Sequence, residues 1–339
     1  IQRQSLHRVE LHCHLEGALR PATVLQVARR RGLKAPADTP EAFAEFLRRK
    51  SPSSLAEFLA YFPQLVEFAA GDREAIGQLA QDFVADCASN CVCYVESRFC
   101  PSLFANSELS AEGVLRAVLE GFEVGSARHG VKVRAILCAL RNDPDGSSET
   151  LTLAKAYSTH GVVGVDLAGD DRADELAGGT SPKLIELFRQ ASAAGLHRTV
   201  HAGENSGSAL VSEALDKMNA ERIGHGYHCL DDPAVYQQIL QRRVHLEVCP
   251  LSSRLTGAVL SDWPHHPVHR FASDRASYSI NSDDPTFTGQ WLAEEYRLCA
   301  EQVGLPPWEL VKANYNAAWA SFLPDEERQL LLGQLNDYY

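Results

Sequence analysis

The chain has 339 residues, 45% hydrophobic and 22% charged, which supplies enough apolar material for a large folded core. Its 44 acidic and 32 basic residues give a formal net charge of −12, which argues against nucleic acid or an anionic membrane surface as a partner. No run of about 18 apolar residues occurs, so no membrane-spanning helix is expected. The nine cysteines include no C-x-x-C pair, and Cys13, Cys138 and Cys249 fall inside apolar runs. They read as reduced, buried thiols in a cytoplasmic protein. The chain begins at Ile1 without a methionine, so a trimmed N-terminus is expected and a secreted or cell-surface form stays open.

In chain order, the β-rich apolar runs are "RVELHCHLEG" (8–17), "VCYVESRF" (92–99), "VKVRAILCAL" (131–140) and "VVGVDLAGDD" (162–171). They continue with "HRTVHAGE" (197–204), "RIGHGYH" (222–228), "VHLEVCPLSS" (244–253) and "SYSINSDDP" (277–285). Helical patterns such as "SPKLIELFRQASAAGL" and "DPAVYQQILQRR" lie between them. Alternating strands and helices predict a parallel sheet, and eight units predict a closed (β/α)8 barrel. An open doubly wound sheet is the alternative, but no G-x-G-x-x-G follows any strand. No composition break divides the chain, so residues 1–339 are expected to form a single domain. The long interval between residues 17 and 92 predicts extra helices in the first crossover, forming a lid over the barrel mouth.

Most of the runs begin apolar and end in His, Asp, Glu, Arg, Ser or Gly, and the C-terminal strand ends of such a barrel build its active site. Residues i and i+2 of a strand share a face, so His12 and His14 point into the barrel while Cys13 points out. For an isolated H-x-H pair, a metal site and two satisfied core histidines stand level. "HAGE" adds His201 and Glu204, "GHG" adds His225 between two glycines that admit a close approach, and "SDDP" adds Asp283 and Asp284. Together they place four histidines and three acidic groups at one end of the barrel, which favours the metal. Three imidazoles and a carboxylate, without thiolate, suit zinc and also cobalt, iron or nickel. Glu204 is close enough to act as acid or base and His225 to hold an activated water, which is the equipment of a hydrolase.

"ELHCHLEG", "VVGVDLAGD", "HRTVHAGE", "RIGHGYH", "HLEVCPLSSRLTGA" and "YSINSDDP" resemble the successive motifs of the adenosine deaminases of the amidohydrolase superfamily. The likeness extends through "VCYVESR" and "KVRAILCALR", spans nearly the whole chain and is nearest the animal-type enzymes. It implies one Zn2+ per chain on His12, His14, His201 and Asp283. It implies that Glu204 protonates purine N1 while an activated water attacks C6, with His225 orienting that water and stabilising charge. It also implies that Asp284 bonds N7, that the Gly169 backbone reaches N3, and that Leu55, Phe58, Leu59 and Phe62 form an apolar gate. The reaction implied is hydrolysis of adenosine and 2′-deoxyadenosine to inosine and 2′-deoxyinosine plus ammonia, by a monomer whose partner is a small purine nucleoside.

Two positions depart from the family pattern. Glu16 stands where an aspartate usually bonds the ribose 5′-hydroxyl; adenine deaminases often carry "HLEG" there. Leu251 replaces a common tryptophan and is expected to loosen the pocket wall. Either carboxylate at the sugar end repels a 5′-phosphate, so AMP is not an expected substrate. The readings left beside adenosine are adenine or another purine-related amide, and a non-catalytic binding protein on the same scaffold. The segment "SLAEFLAYFPQLVEF" (54–68) predicts one helix, with Leu55, Phe58, Leu59 and Phe62 on one face. Arg98 reads as an ion-pairing residue. His228, His245, His265, His266 and His269 read as supporting or surface groups, and Arg29–Arg31 as a solvated helix end.

Overall fold

Alternation in the first strand sets the architecture. In β1 (Arg8–His14), Val9, Leu11 and Cys13 face surrounding apolar side chains, while Glu10, His12 and His14 turn to the opposite side. A computed structural model describes residues 7–48 and 54–339, so the start at Ile1 lies outside the described residues. The remaining strands are β2 (Val92–Phe99), β3 (Lys132–Leu140), β4 (Val162–Ala168), β5 (His197–Ala202), β6 (Arg222–His225), β7 (His245–Val248) and β8 (Tyr278–Ile280). They form one eight-stranded sheet in sequential order, with every neighbouring pair parallel. The fold is a (β/α)8 barrel, as expected.

The barrel closes at a single point. β8 is short, and the link back to β1 is a parallel bridge between Cys13 and Asp283. Asp283 N–H donates to the His12 carbonyl (3.0 Å) and His14 N–H donates to the Asp283 carbonyl (2.9 Å). Side chains complete the seam. Leu11 N–H donates to Asn281 Oδ1 (3.1 Å), and Glu10 accepts from Ser282 N–H and hydroxyl, both at 3.0 Å. These contacts satisfy strand groups that a longer ladder would have paired.

The first crossover holds α1 (Pro21–Arg31), α2 (Pro40–Leu47), α3 (Leu55–Leu59), α4 (Phe62–Glu67) and α5 (Arg73–Ser89). The helix expected over 54–68 is therefore two helices. Pro63 lacks the N–H that would donate to the Leu59 carbonyl, and its ring crowds that carbonyl. The chain turns at Ala60 and Tyr61 and restarts with Pro63 in the first turn of α4. Phe58 and Phe62 nevertheless stay together, 5.8 Å apart, and both pack on Phe287. Arg30 and Arg31 at the end of α1 are exposed as expected, yet they also tie that helix to Asp72, Glu74 and the Phe68 carbonyl. No helix among the described residues is long and apolar enough to cross a membrane.

Replacing Asn281 with leucine keeps the volume but strands the Leu11 N–H inside the seam. Asn281→Leu is expected to lower stability by about 1–3 kcal/mol, read as a fall in thermal midpoint. An unchanged midpoint would show that the seam does not depend on this side chain.

Candidate active site

The end of β1 brings His12 and His14 beside His201 from β5 and Asp283 after β8. One donor atom from each lies within 4.8 Å of all the others. His14 Nε2 is 3.2 Å from His201 Nε2, and Asp283 Oδ1 is 3.2 Å from His12 Nε2 and 3.5 Å from His14 Nε2. His12 donates Nδ1–H to Glu247 at 2.7 Å, and His201 donates Nδ1–H to Asp166 at 3.1 Å. These partners set the tautomer, leaving bare Nε2 lone pairs turned toward one another. Burial and the adjacent imidazoles hold His14 well below the usual histidine range, so it stays neutral. Facing lone pairs repel, and a divalent cation between them removes the conflict. The donor set fits such an ion.

A second set overlaps the first: His12, His225, Cys249 and Asp283 also lie within 4.8 Å of one another. Burial raises the Cys249 thiol well above its ordinary range, and its S–H is directed at the Glu247 carbonyl. The first set needs no thiol ionisation and is favoured on that ground.

Beneath the imidazoles lies a dry ionic cluster. Arg98, fully buried, donates to Glu247 (2.6 Å) and to Asp166 (3.0 Å), the two carboxylates that hold His12 and His201. Arg222 adds contacts to Glu247 (2.7 Å) and Glu96 (2.6 Å). Burial opposes ionisation of Glu247, but the Arg98 and Arg222 guanidiniums outweigh it and keep the group well below the ordinary carboxylate range. Arg98 is thus the ion-pairing residue expected. Asp166 and Glu247 were not singled out from the sequence; a carboxylate facing inward in an apolar strand was the available signal.

Above the cluster opens a cavity of about 280 Å3. Leu55, Phe58, Leu59 and Phe62 are among its lining residues, together with Glu16, Gly169, Glu204, His225 and Asp284. Glu204 Oε2 is 3.5 Å from His225 Nε2, and Thr256 hydroxyl donates to its Oε1 at 3.3 Å. Burial, then the charges of Asp171 and Asp283, raise Glu204 well above the ordinary range. Asp284 is raised likewise by burial and by Asp283, Glu16 and Glu204, and its Oδ1 has no partner among the described residues. Glu16 accepts from Cys100 N–H at 2.6 Å, keeps Oε2 unpartnered, and is raised by burial to about 7. Burial thus favours the protonated, donor form of Glu204 and Asp284 over the form an exposed carboxylate would take.

Backbone constraints aim these groups. His225 and Asp283 both adopt the left-handed region, at φ 63° and 61°, which costs a non-glycine residue about 1–3 kcal/mol. A Cβ on Gly17 would fall 1.7 Å from Asp284 Oδ1, so glycine is what lets Asp284 lie against that backbone. Gly224 and Gly226 make room for protein neighbours: a Cβ on Gly224 would meet His12 Cε1 at 3.0 Å, and Gly226 turns at φ 72° over Leu246.

The family model described as Adenosine deaminase matches residues 7–338. The chain belongs to the adenosine deaminase family. The adenosine deaminase of Bos taurus is 42% identical over 98% of this chain and 94% of its own length. That of Xenopus tropicalis is 41% identical over 98% and 95%. Among solved structures, an adenine deaminase from Arthrobacter aurescens superimposes with TM-score 0.88 at 25% identity, covering 98% of this chain and 99% of that one. As a member of this family the chain carries a hydrolytic deaminase scaffold with a cluster able to hold a metal ion.

Leu251, expected in the pocket wall, is not among the lining residues; it is half-buried against the core, and Ser252 faces the cavity instead. His228 pairs with Asp231 at the surface, and His245 is buried between Ser277 and Ser279. His265 and His266 lie apart from the donor set on the segment before β8. Asp166→Asn and Glu247→Gln each loosen one imidazole of the donor cluster. Each is expected to weaken metal affinity by about 10–100-fold in competition with a chelator. Wild-type affinity in both would detach the buried carboxylates from the ligand set.

Proposed function

We propose that the chain, acting as one domain, hydrolyses adenosine and 2′-deoxyadenosine to inosine and 2′-deoxyinosine, releasing ammonia. His12, His14, His201 and Asp283 hold a single divalent ion, assigned as zinc from the nitrogen-rich, thiolate-free donor set. That ion supplies the Lewis acidity that makes water nucleophilic near neutral pH. The observation that carries the reading is Glu204, a buried carboxyl group with its pKa raised by burial, 3.5 Å from His225 on the rim of the donor cluster.

Adding water to C6 saturates the N1–C6 bond, so N1 must gain a proton. Glu204 gives that proton, and His225 orients the water and stabilises the charge that develops at C6. Purine N7 is an acceptor and meets the protonated Asp284 carboxyl; the Gly169 N–H meets N3. One water enters and one ammonia leaves. The gate residues cover the purine and exclude bulk water. Glu16 meets the ribose hydroxyls through its unpartnered oxygen. The cation lining the cavity, Arg141, is already committed to Asp174, Thr180 and the His201 carbonyl, so a 5′-phosphate finds no free counter-charge beside Glu16 and Asp170. We place the enzyme in the cytoplasm, as a monomer, in nucleoside catabolism and salvage, in keeping with its nine free thiols, eight of them buried.

The second reading, adenine as substrate, rests on Glu16 and on the likeness to the Arthrobacter aurescens enzyme. A panel of adenosine, 2′-deoxyadenosine, adenine and AMP, followed by loss of purine absorbance, separates the two. Turnover of the nucleosides alone is expected; turnover of adenine alone would overturn the substrate assignment. The Glu204 pKa is raised by burial, so its proton is held to higher pH than an ordinary carboxyl group's and is lost as pH climbs through that raised value. The kcat profile should therefore hold above the ordinary carboxyl range and fall as pH rises through the raised Glu204 value. Glu204→Gln should lose about 10²–10⁴-fold in kcat while keeping its metal, and normal activity would remove Glu204 from the mechanism.

A further inference from the structure

We infer that Asp171 is the positioning residue of the proton donor, clamping the turn at residues 204–206 so that Glu204 faces the substrate; this rests on the deaminase reading above. Asp171 is fully buried and is absent from the cavity lining, so it acts through another group. Its Oδ2 accepts Glu204 N–H at 3.0 Å and the Ser206 hydroxyl at 2.6 Å. Its Oδ1 accepts Asn205 N–H at 3.0 Å and Ser206 N–H at 3.1 Å. The Ser206 hydroxyl oxygen in turn accepts Gly203 N–H at 3.1 Å.

Helix capping does not explain this arrangement. The short helix Asp171–Leu176 is capped by Asp170, whose side chain accepts Arg172 N–H at 3.1 Å. The Asp171 oxygens are thereby left to the neighbouring loop. Both must be acceptors, because each receives two donors. An amide offers one acceptor oxygen and turns an NH2 against N–H groups, so only an ionised carboxylate matches the set. At the other end of the same helix, Glu175 accepts Gly207 N–H at 2.8 Å, so the grip extends along the loop.

The clamp joins two strand ends. Gly169 and Asp170, after β4, line the cavity where the purine would lie, and Glu204, after β5, faces the same space. Fixing one loop to the other sets the spacing between the groups that meet N3 and N1. Proton transfer tolerates little error in that spacing.

The test is a double-mutant cycle on the metal-loaded enzyme, following kcat, KM and metal content. Asp171→Asn should lower kcat by about 100-fold, with KM within about threefold and metal retained. Added to Glu204→Gln, it should change the residual rate by less than about threefold, since its effect runs through Glu204. A wild-type kcat in Asp171→Asn, or a loss that multiplies in full through the double variant, would overturn the clamp. Should Asp171→Asn fail to fold, Ser206→Ala removes one donor of the same turn. It should cost about tenfold in kcat with the same dependence on Glu204, and an unchanged kcat would overturn the inference. A wild-type enzyme inactive on every purine nucleoside would instead sink the deaminase reading itself.

Discussion

The site depends on one buried arginine. Arg98 sits in the barrel between Asp166 and Glu247, and each of those carboxylates fixes one imidazole of the donor cluster. Three charged groups in a dry interior are a poor source of stability, because desolvation consumes most of the Coulomb attraction. Their return is orientation. Two histidines on separate strands are held in one tautomer, with lone pairs aimed at one point.

Barrel closure and assembly of the donor cluster are the same event. The bridge that links β8 to β1 joins Cys13 to Asp283, so the carboxylate arrives between His12 and His14 only when the last strand docks in register. A one-residue slip in β1 would turn both histidines outward. The left-handed backbones at Asp283 and His225 are sustained by the same packing. Strain is concentrated where side chains must point away from the directions regular strands allow.

Much of this was legible in the chain. The i, i+2 spacing of His12 and His14 told their shared direction, and the polar strand ends told where His201, Glu204, His225 and Asp283 would gather. The bounds of β2 were read correctly because Val92–Phe99 is bracketed by helix and proline. The segment 54–68 reads as one helix because apolar spacing survives the break at Pro63 while hydrogen bonding does not. Asp166, Asp171 and Glu247 carry no local signal of their partners, for a different reason. Their partners lie on other strands and loops, and no local pattern records which buried donors a carboxylate will meet. Leu251 was placed in the wall by analogy, whereas its side chain packs on the core and Ser252 faces the cavity.

The central claim is a nitrogen- and oxygen-donor ion site built on His12, His14, His201 and Asp283, standing apart from the thiol of Cys249. X-ray absorption spectroscopy of the zinc-loaded protein tests it most directly. The account predicts imidazole scattering at about 2.0–2.1 Å and no sulfur neighbour. A sulfur shell at about 2.3 Å would contradict it and move the ion to the set that includes Cys249.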